Sequence, residues 1–327
     1  MDAYAKEGII LDTFRPCYAA LKCVRARGKL RVYVQVTVEG RACPKKKKDG
    51  SPRHDFSKTG PVGCDIGTQS VAAVSKDGMI LDNLAERDHK STRESEKLER
   101  RLLRKMDRSR RAMNPDNYNE DGTVKPRSQR QPWIYSKSYL KTKEQHTGIA
   151  RKNADSRKFA NREIANNIRS MGDILITEPK NAGKLKRKAK EPKVTVREDG
   201  TKKFSRRKRF GRSIQNRCPG QFQEELKHKF RDAHYIVVPS KYRASQYDHT
   251  ANQFIKKELN QRMYSLSDGT KVQRDLYSAY LLMHPDGEIK FPDYVTCKSD
   301  FSTFKTKMDV RIKEIKASGY KVCNSGI

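Results

Sequence analysis

The sequence predicts a mixed α/β fold, and three observations support this prediction. Residues 62–84 hold three short β-favouring runs separated by glycine-containing turns, a pattern typical of an antiparallel meander. Long segments with apolar residues at helical spacing follow, and the apolar segment "DILITE" at 173–178 supplies a further strand. The segment "RDLYSAYLLM" at 274–283 then predicts a helix.

The strands ahead of the helices are predicted from alternation and turn residues. Residues 30–38 alternate strictly, with Val32, Val34, Val36 and Val38 on one face, which indicates a half-buried strand. A basic, turn-rich linker, "PKKKKDGSPRHDFSKTG", follows this strand. The meander comprises "VGCDIG", "SVAAVS" and "MILDNLA", and the Asp-Gly pair before the third run is a strong hairpin signal.

The next segments predict two long helices around a polar loop. Ser91 and Glu94 have the spacing of a capping box, so the first helix is expected to begin there. The polar loop 114–135 holds Tyr118 and Trp133, which are candidates for stacking on bases, with simple packing as the alternative. The second helix is expected to end at Gly172, directly before "DILITE".

The C-terminal half is also predicted to contain both helices and strands. A helix near 217–231 precedes the strand "YIVVP", and a hairpin is centred on Asp268 and Gly269. The final helix carries apolar residues at helical spacing and is expected to end before Gly319.

The charge balance predicts a polyanionic partner. The chain of 327 residues has 72 Lys and Arg against 39 Asp and Glu, a net charge of +33, and cationic surfaces bind phosphates with release of counterions. The basic residues expected to contact nucleic acid are Lys45, Lys46, Lys47, Lys48, Lys184, Lys186, Arg187, Lys188, Arg206, Arg207, Lys208 and Arg209. The alternative is that some of these belong to solvated tails, above all in the very basic stretch 180–212.

The cysteines and the apolar runs indicate the cellular compartment of the protein. Its seven cysteines are scattered and form no C-x-x-C pair, which favours a reducing cytoplasm and argues against a disulfide framework or a four-cysteine zinc ribbon. No run reaches the length of a transmembrane helix, and the N-terminus lacks the features of a signal peptide. We therefore expect a cytoplasmic protein, associated with the nucleoid in a prokaryote, and no membrane partner.

Three acids occupy similar local positions. Asp65 ends an apolar strand, Glu178 ends another, and Asp275 opens a helix after a hairpin. Burying any of them without a partner is unfavourable. Each also has a purely structural explanation. Asp65 would be a turn former, Glu178 would be the partner of a basic residue in an ion pair, and Asp275 would be an acid that favours the helix dipole.

The segments around these acids resemble a known family. "GCDIGTQSVAAVSKDG", "ILITEPKN" and "DGTKVQRDLYSAYLL" are similar to the three motifs of the RuvC-type nuclease domain in transposon-encoded TnpB proteins, which are related to type V CRISPR effectors. The resemblance covers roughly residues 30–285. It implies an RNase H-like core with helical insertions and an RNA-guided DNA endonuclease associated with a transposable element. The implied partners are a DNA target and a guide RNA.

The resemblance also implies a metal site. Asp65, Glu178 and Asp275 would be the catalytic acids and the ligands of Mg²⁺ or Mn²⁺, with Asp65 bridging two ions. Hard cations prefer oxygen ligands, and two such ions can activate a water and stabilise the leaving oxygen of a phosphodiester. Family members often carry a zinc ribbon between the second and third motifs, where this chain has one cysteine, Cys218. We therefore expect no zinc, and we expect His249 to be a surface or hydrogen-bonding residue.

The implied domain organisation has three parts. Residues 1–59 would be the remnant of an N-terminal, β-rich, wedge-like domain that binds nucleic acid. Residues 60–285 would form the nuclease domain, with a basic insertion at 180–212 and a degenerate zinc-ribbon region at 213–268. Residues 286–327 would form a C-terminal helical tail. Because family members usually have a longer N-terminal part, the chain is expected to be N-terminally short.

Two alternatives remain open from the sequence. "DIGTQSVAAVSKDG" also resembles the first phosphate loop of the actin, heat-shock-chaperone and sugar-kinase ATPases, but the second phosphate loop and the adenosine motif of those proteins are not found. The other alternative is a catalytically idle protein of the same family that only binds nucleic acid.

Overall fold

The computed structural model describes residues 15–26, 29–39, 46–86, 89–183, 193–196, 198, 200, 202–205, 211–258 and 260–327. The chain divides into two compact units. The first unit comprises the described parts of 1–53 and 88–155, and the second comprises those of 54–87 and 156–327. The domain boundaries expected from the sequence remain predictions.

The first unit begins with an antiparallel hairpin of β1 (Arg15–Ala26) and β2 (Lys29–Glu39). The strand predicted over 30–38 is therefore confirmed, but its expected burial is wrong. Val32 is 58% exposed and Val34 is 68% exposed. Within the described residues no further strand joins this sheet, and alternation places apolar side chains on one face without deciding whether anything covers that face.

Two long helices follow: α1 (His89–Met113) and α2 (Lys137–Arg169). The capping box predicted at Ser91 is wrong, because α1 begins at His89 and Ser91 lies inside the helix. The loop between the helices is ordered by two buried asparagines. The Asn114 amide bonds the backbone of Arg110 and Ile134, and the Asn117 amide bonds the backbone of Gln131.

The second unit is built on the predicted meander. Strands β3 (Pro61–Ile66), β4 (Ser70–Ser75) and β5 (Met79–Asn83) pair antiparallel in sequence order. The predicted strand after α2 is β6 (Ile174–Thr177), which pairs parallel with β3. Gly172, two residues before this strand, has no room for a side chain, since a Cβ there would lie 2.4 Å from the carbonyl oxygen of Gly60.

The segments after β6 complete the sheet. The basic stretch contains a short hairpin, β7 (Lys193–Val196) and β8 (Lys202–Ser205). Helices α3 (Gly211–Arg217) and α4 (Pro219–His234) lead into β9 (Tyr235–Val237). Since β9 pairs parallel with β6, the order across the five-stranded sheet is β5-β4-β3-β6-β9.

The C-terminal part contains two small hairpins and two helices. The hairpins are β10 (Tyr247–Asp248) with β11 (Gln253–Phe254), and β12 (Met263–Ser265) with β13 (Lys271–Gln273). The helices are α5 (Arg274–Met283) and α6 (Tyr294–Ala317), as the apolar spacing predicts. None of the helices in the described part of the chain is long and apolar enough to cross a bilayer.

Each face of the five-stranded sheet has its own core. On one face, Ile176 and residues of β4 and β5 pack with α5 and α6, and α5 is buried from Leu276 to Met283. On the other face, Val62, Cys64 and Leu175 pack with the C-terminal part of α2 and with α4. The sheet therefore separates two apolar layers, and residues that alternate with Val62 and Cys64 on β3 face α5.

Candidate active site

The pairing of β3 with β6 brings two of the predicted acids together. Cys64 lies opposite Thr177 in this parallel pair, so Asp65 and Glu178 are the next residues of neighbouring strands. Cys64 contributes to the core on the α4 side, and Ile176 contributes to the core on the α5 side. Because side chains alternate along a strand, Asp65 and Glu178 both belong to the face that α5 covers.

A glycine brings the third acid to this face. A Cβ on Gly63 would lie 1.9 Å from the carbonyl oxygen of Ala279 and 2.5 Å from the amide nitrogen of Met283. The backbone of α5 therefore lies directly on β3 at this point, an approach that only glycine permits. Asp275 is one helical turn before Ala279, and Asp65 is two residues after Gly63.

The negative charge of Asp65 acts on each of the other two acids. Burial and, to a smaller degree, the negative charge of Asp65 raise the pKa of Asp275 to about 6. Burial and then the charge of Asp65 also raise the pKa of Glu178. The backbone N–H of Ala244 donates to Glu178 Oε1 at 2.9 Å and acts in the opposite direction on this pKa. The site thus concentrates negative charge where water is partly excluded.

Cationic side chains partly compensate this charge. The Lys180 ammonium lies 3.9 Å from Asp65 Oδ1, and both side chains are partly buried. Its charge also lowers the pKa of Glu178, and the charges of Arg274 and Arg262 lower that of Asp275. Lys180 therefore places a positive charge next to Asp65, the acid whose charge raises the pKa values of Glu178 and Asp275.

The residue types fit a hard divalent cation. Carboxylate oxygens are the ligands that Mg²⁺ and Mn²⁺ prefer, and the repulsion from Asp65 that raises the pKa values of Glu178 and Asp275 is relieved by a nearby cation. Among the described residues, however, no three His, Cys, Asp or Glu side chains form a ready-made metal cluster. The role of these acids as metal ligands remains a prediction.

Most of the basic residues predicted to contact nucleic acid lie outside the described residues. These are Lys45, Lys184, Lys186, Arg187, Lys188, Arg206, Arg207, Lys208 and Arg209. Lys46, Lys47 and Lys48 are described and exposed, and the backbone bonds between Lys47 and Ser51 and between Gly50 and Lys47 close a turn there. Their contact with nucleic acid also remains a prediction.

The segment expected to be a degenerate zinc ribbon is packed around tyrosines. His249 is 2% exposed, and its Nδ1 lies 2.7 Å from the hydroxyl of Tyr277, which confirms its hydrogen-bonding role. The Tyr242 hydroxyl donates to the carbonyl oxygen of Leu281. The Asp248 carboxylate accepts hydrogen bonds from Thr250 and Ser267. The bonds of His249 to Tyr277 and of Tyr242 to Leu281 tie the segment to α5, the helix that carries Asp275, and the bonds of Asp248 hold the segment together internally.

Sequence reasoning missed two residues that shape the site, Gly63 and Lys180. A glycine inside an apolar strand signals a close backbone approach, so the pattern around Gly63 contained a usable clue. Lys180 follows Glu178 by two residues, but the chain is so rich in lysine that its sequence position alone could not distinguish it.

Comparisons with known proteins identify no family. No protein-family model and no curated protein matches the chain. Among solved structures, the chain is similar to the protein in the "Cryo-EM structure of the Cas12f1-sgRNA-target DNA complex", with 12% sequence identity and a TM-score of 0.48. The match covers 87% of this chain and 51% of the other, so the chain spans about half the length of that protein. A likeness at this level does not establish the family to which the chain belongs.

Proposed function

We propose that the chain is a metal-dependent DNA endonuclease with an RNase H-like, RuvC-type core of the TnpB kind. The observation that carries the proposal is the placement of Asp65 and Glu178 on the sheet face that α5 covers, with Asp275 in the first turn of α5. Guidance by RNA and association with a transposable element belong to the same proposal and rest on the three motifs of the sequence.

The sheet supports this proposal. Its three antiparallel strands, followed by two further strands in parallel, agree with the β-β-β-α-β layout that the sequence motifs imply. Asp65 is the penultimate residue of the first of these strands, Glu178 directly follows the fourth, and Asp275 lies in the first turn of α5. Parallel strands end at the same edge of a sheet, which is the usual place for catalytic groups in such folds.

The residues of the site have distinct roles in the proposed reaction. Asp65, Glu178 and Asp275 would hold Mg²⁺ or Mn²⁺, which supplies activation of water and stabilisation of the leaving oxygen when bound. The Ala244 N–H orients the Glu178 carboxylate. Lys180 keeps Asp65 paired, and Arg262 and Arg274, whose charges act on Asp275, supply positive charge for a phosphodiester.

A second function is favoured by one observation, the net charge. A charge of +33 is sufficient for binding nucleic acid without cleavage. The alternative is therefore a catalytically idle nucleic-acid-binding protein.

The test compares isosteric variants of the three acids. Purified chain, with and without co-purified RNA, is incubated with single- and double-stranded DNA in Mg²⁺ or Mn²⁺. We expect cleavage that EDTA stops and that Asp65→Asn, Glu178→Gln and Asp275→Asn each abolish. Asp77→Asn is the matched control, because this acid is exposed in a turn of the same unit.

The outcomes separate the two functions. Cleavage that survives in Asp65→Asn would contradict the proposed site. Salt-dependent binding of nucleic acid without cleavage under any of these conditions would favour the idle binding protein.

A further inference from the structure

Two adjoining grooves run along α1 in the first unit. The larger has a volume of about 740 Å³, and four basic residues and two leucines line it: Leu98, Arg101, Leu102, Arg104, Lys105 and Arg108. The smaller has a volume of about 450 Å³ and lies between α1 and the first turns of α2. Its lining is basic and polar: Lys105, Lys137, Ser138, Lys141, Thr142 and Gln145.

The two grooves share Lys105, and the described residues that line them include no carboxylate. Cationic walls of this kind attract phosphate groups. The hydroxyl and amide groups of Ser138, Thr142 and Gln145 are further partners for a polar ligand. The smaller groove is thus suited to the backbone of a nucleic acid.

A pair of stacked tyrosines lies at the start of α2, the helix that forms one side of the smaller groove. The ring centroids of Tyr135 and Tyr139 are 4.6 Å apart, with an angle of 21° between the rings. Tyr139 is 9% exposed, whereas Tyr135 is 41% exposed. Tyr135 therefore rests on a buried ring and remains accessible to solvent, two residues before Lys137.

The position of this pair is fixed by hydrogen bonds at the beginning of α2. The Ser136 hydroxyl accepts a bond from the backbone N–H of Tyr139 and pairs with the hydroxyl of Ser109 on α1. A ring held in place before binding loses little conformational entropy when a ligand stacks on it.

Tyr118 and Trp133, the two aromatic residues that the sequence suggested for stacking on bases, have different surroundings from Tyr135. The Arg110 guanidinium lies 5.2 Å from the ring centroid of Trp133, and the Arg111 guanidinium lies 4.6 Å from that of Tyr118. Asp107 pairs with both arginines. Tyr118 and Trp133 are therefore engaged in contacts within the unit, whereas Tyr135 offers an exposed ring.

We propose that Tyr135 is a stacking platform for an unpaired nucleotide, whose neighbouring phosphates lie in the groove lined by Lys105, Lys137 and Lys141. The inference rests on the nucleic-acid partner of the proposed function and not on cleavage. It adds a site for a single-stranded segment, of either DNA or RNA. Stacking on an aromatic ring tolerates any base, so this site selects unpaired nucleotides and not a sequence.

The experiment measures binding by fluorescence anisotropy with the full chain. The probes are oligo(dT) and oligo(rU) of about 12 nucleotides and a DNA duplex of the same length. For at least one single-stranded probe, we expect Tyr135→Ala to weaken binding about five- to tenfold, and Tyr135→Phe to bind as the wild type does. The duplex should bind Tyr135→Ala and the wild type equally.

Two further variants test the groove and the specificity of the effect. Lys137→Ala combined with Lys141→Ala should reduce the slope of log affinity against log salt by about 1–2. Leu140→Ala is the matched control, because Leu140 is 51% exposed on the same helix and should leave binding unchanged. Circular dichroism checks that each variant is folded.

The outcomes are decisive in both directions. An effect of Tyr135→Ala with DNA or RNA alone supports the platform and identifies its ligand. Unchanged single-strand binding in folded Tyr135→Ala, an equal loss with the duplex, or no binding by the wild type would overturn it. A chain that fails to cleave DNA but shows Tyr135-dependent binding would leave the platform standing while the proposed nuclease fails.

Discussion

Gly63 and Ala279 are in direct backbone contact, since a Cβ on Gly63 would lie 1.9 Å from the Ala279 carbonyl oxygen. The contact joins the strand that carries Asp65 near its end to the helix that carries Asp275 in its first turn. The packing of α5 on β3 and the grouping of the acids therefore both depend on the absence of a side chain at Gly63.

Gly63→Ala is expected to destabilise the second unit. The added methyl group must displace the backbone of α5, so we predict a loss of at least about 2–3 kcal/mol in the free energy of unfolding. Urea unfolding measures the effect. Gly78→Ala is the control, because nothing lies within 4 Å of a Cβ there, and equal stability of the two variants would contradict the packing described.

Lys180→Ala is expected to make stability more dependent on divalent cations. Without the ammonium 3.9 Å from Asp65, the three acids repel one another, and we predict a loss of about 1 kcal/mol in EDTA. Mn²⁺ should then raise the Tm of the variant more than that of the wild type, because a bound ion stabilises the folded state.

The control for this prediction is Lys58→Ala, which removes a lysine from an exposed pair with Asp77. Its Tm should respond to Mn²⁺ as the wild type does. An identical response of Lys180→Ala and wild type would show that the lysine does not compete with a cation at the acids.

Lys257 should make stability depend on pH in the alkaline range. Its Nζ is buried without a hydrogen-bond partner among the described residues, 3.6 Å from the ring centroid of Tyr264. Burial lowers the pKa of this amine to about 8. Lys257→Met should therefore raise the free energy of unfolding at pH 7 by about 1–2 kcal/mol.

The sign of this pH dependence follows from proton binding. Between pH 8 and the ordinary lysine pKa of 10.5, the unfolded chain holds the Lys257 proton more tightly than the folded one. The stability of the wild type therefore rises through this window relative to Lys257→Met. Chemical denaturation across the window measures the gap between the two proteins, and a gap independent of pH would refute the assignment.

Arg217→Ala should cost about 3 kcal/mol in the free energy of unfolding. Its Nη1 donates to Glu86 Oε2 at 2.9 Å and to the Leu84 carbonyl oxygen at 3.0 Å, and the Glu86 side chain is only 5% exposed. Removing the arginine takes this cation away from a buried carboxylate. Thermal and urea unfolding should both show the loss.

Arg162→Ala provides the comparison, because the Arg162 side chain in its pair with Glu225 is 44% exposed. This variant should lose less than about 1 kcal/mol. Equal losses in the two arginine variants would show that burial of Glu86 does not control the effect.

The local sequence pattern was sufficient to predict most of the helices and strands of the second unit. The apolar run of 274–283 became α5, and the alternation at 62–84 became the meander, because period and turn residues act over a few positions. Burial was less predictable. The valines of β2 alternate as a half-buried strand does, yet they are exposed, because burial depends on a covering element that the pattern does not specify.

The sequence by itself determined the net charge, the types of the three acids and their places at the ends of strands and the start of a helix. Only the tertiary structure decided that these places meet. Asp65 and Glu178 become neighbours because β3 pairs in parallel with a strand over a hundred residues later, and Asp275 joins them because α5 lies on Gly63. Pairing register and close packing are relations between distant segments, so no local pattern contains them.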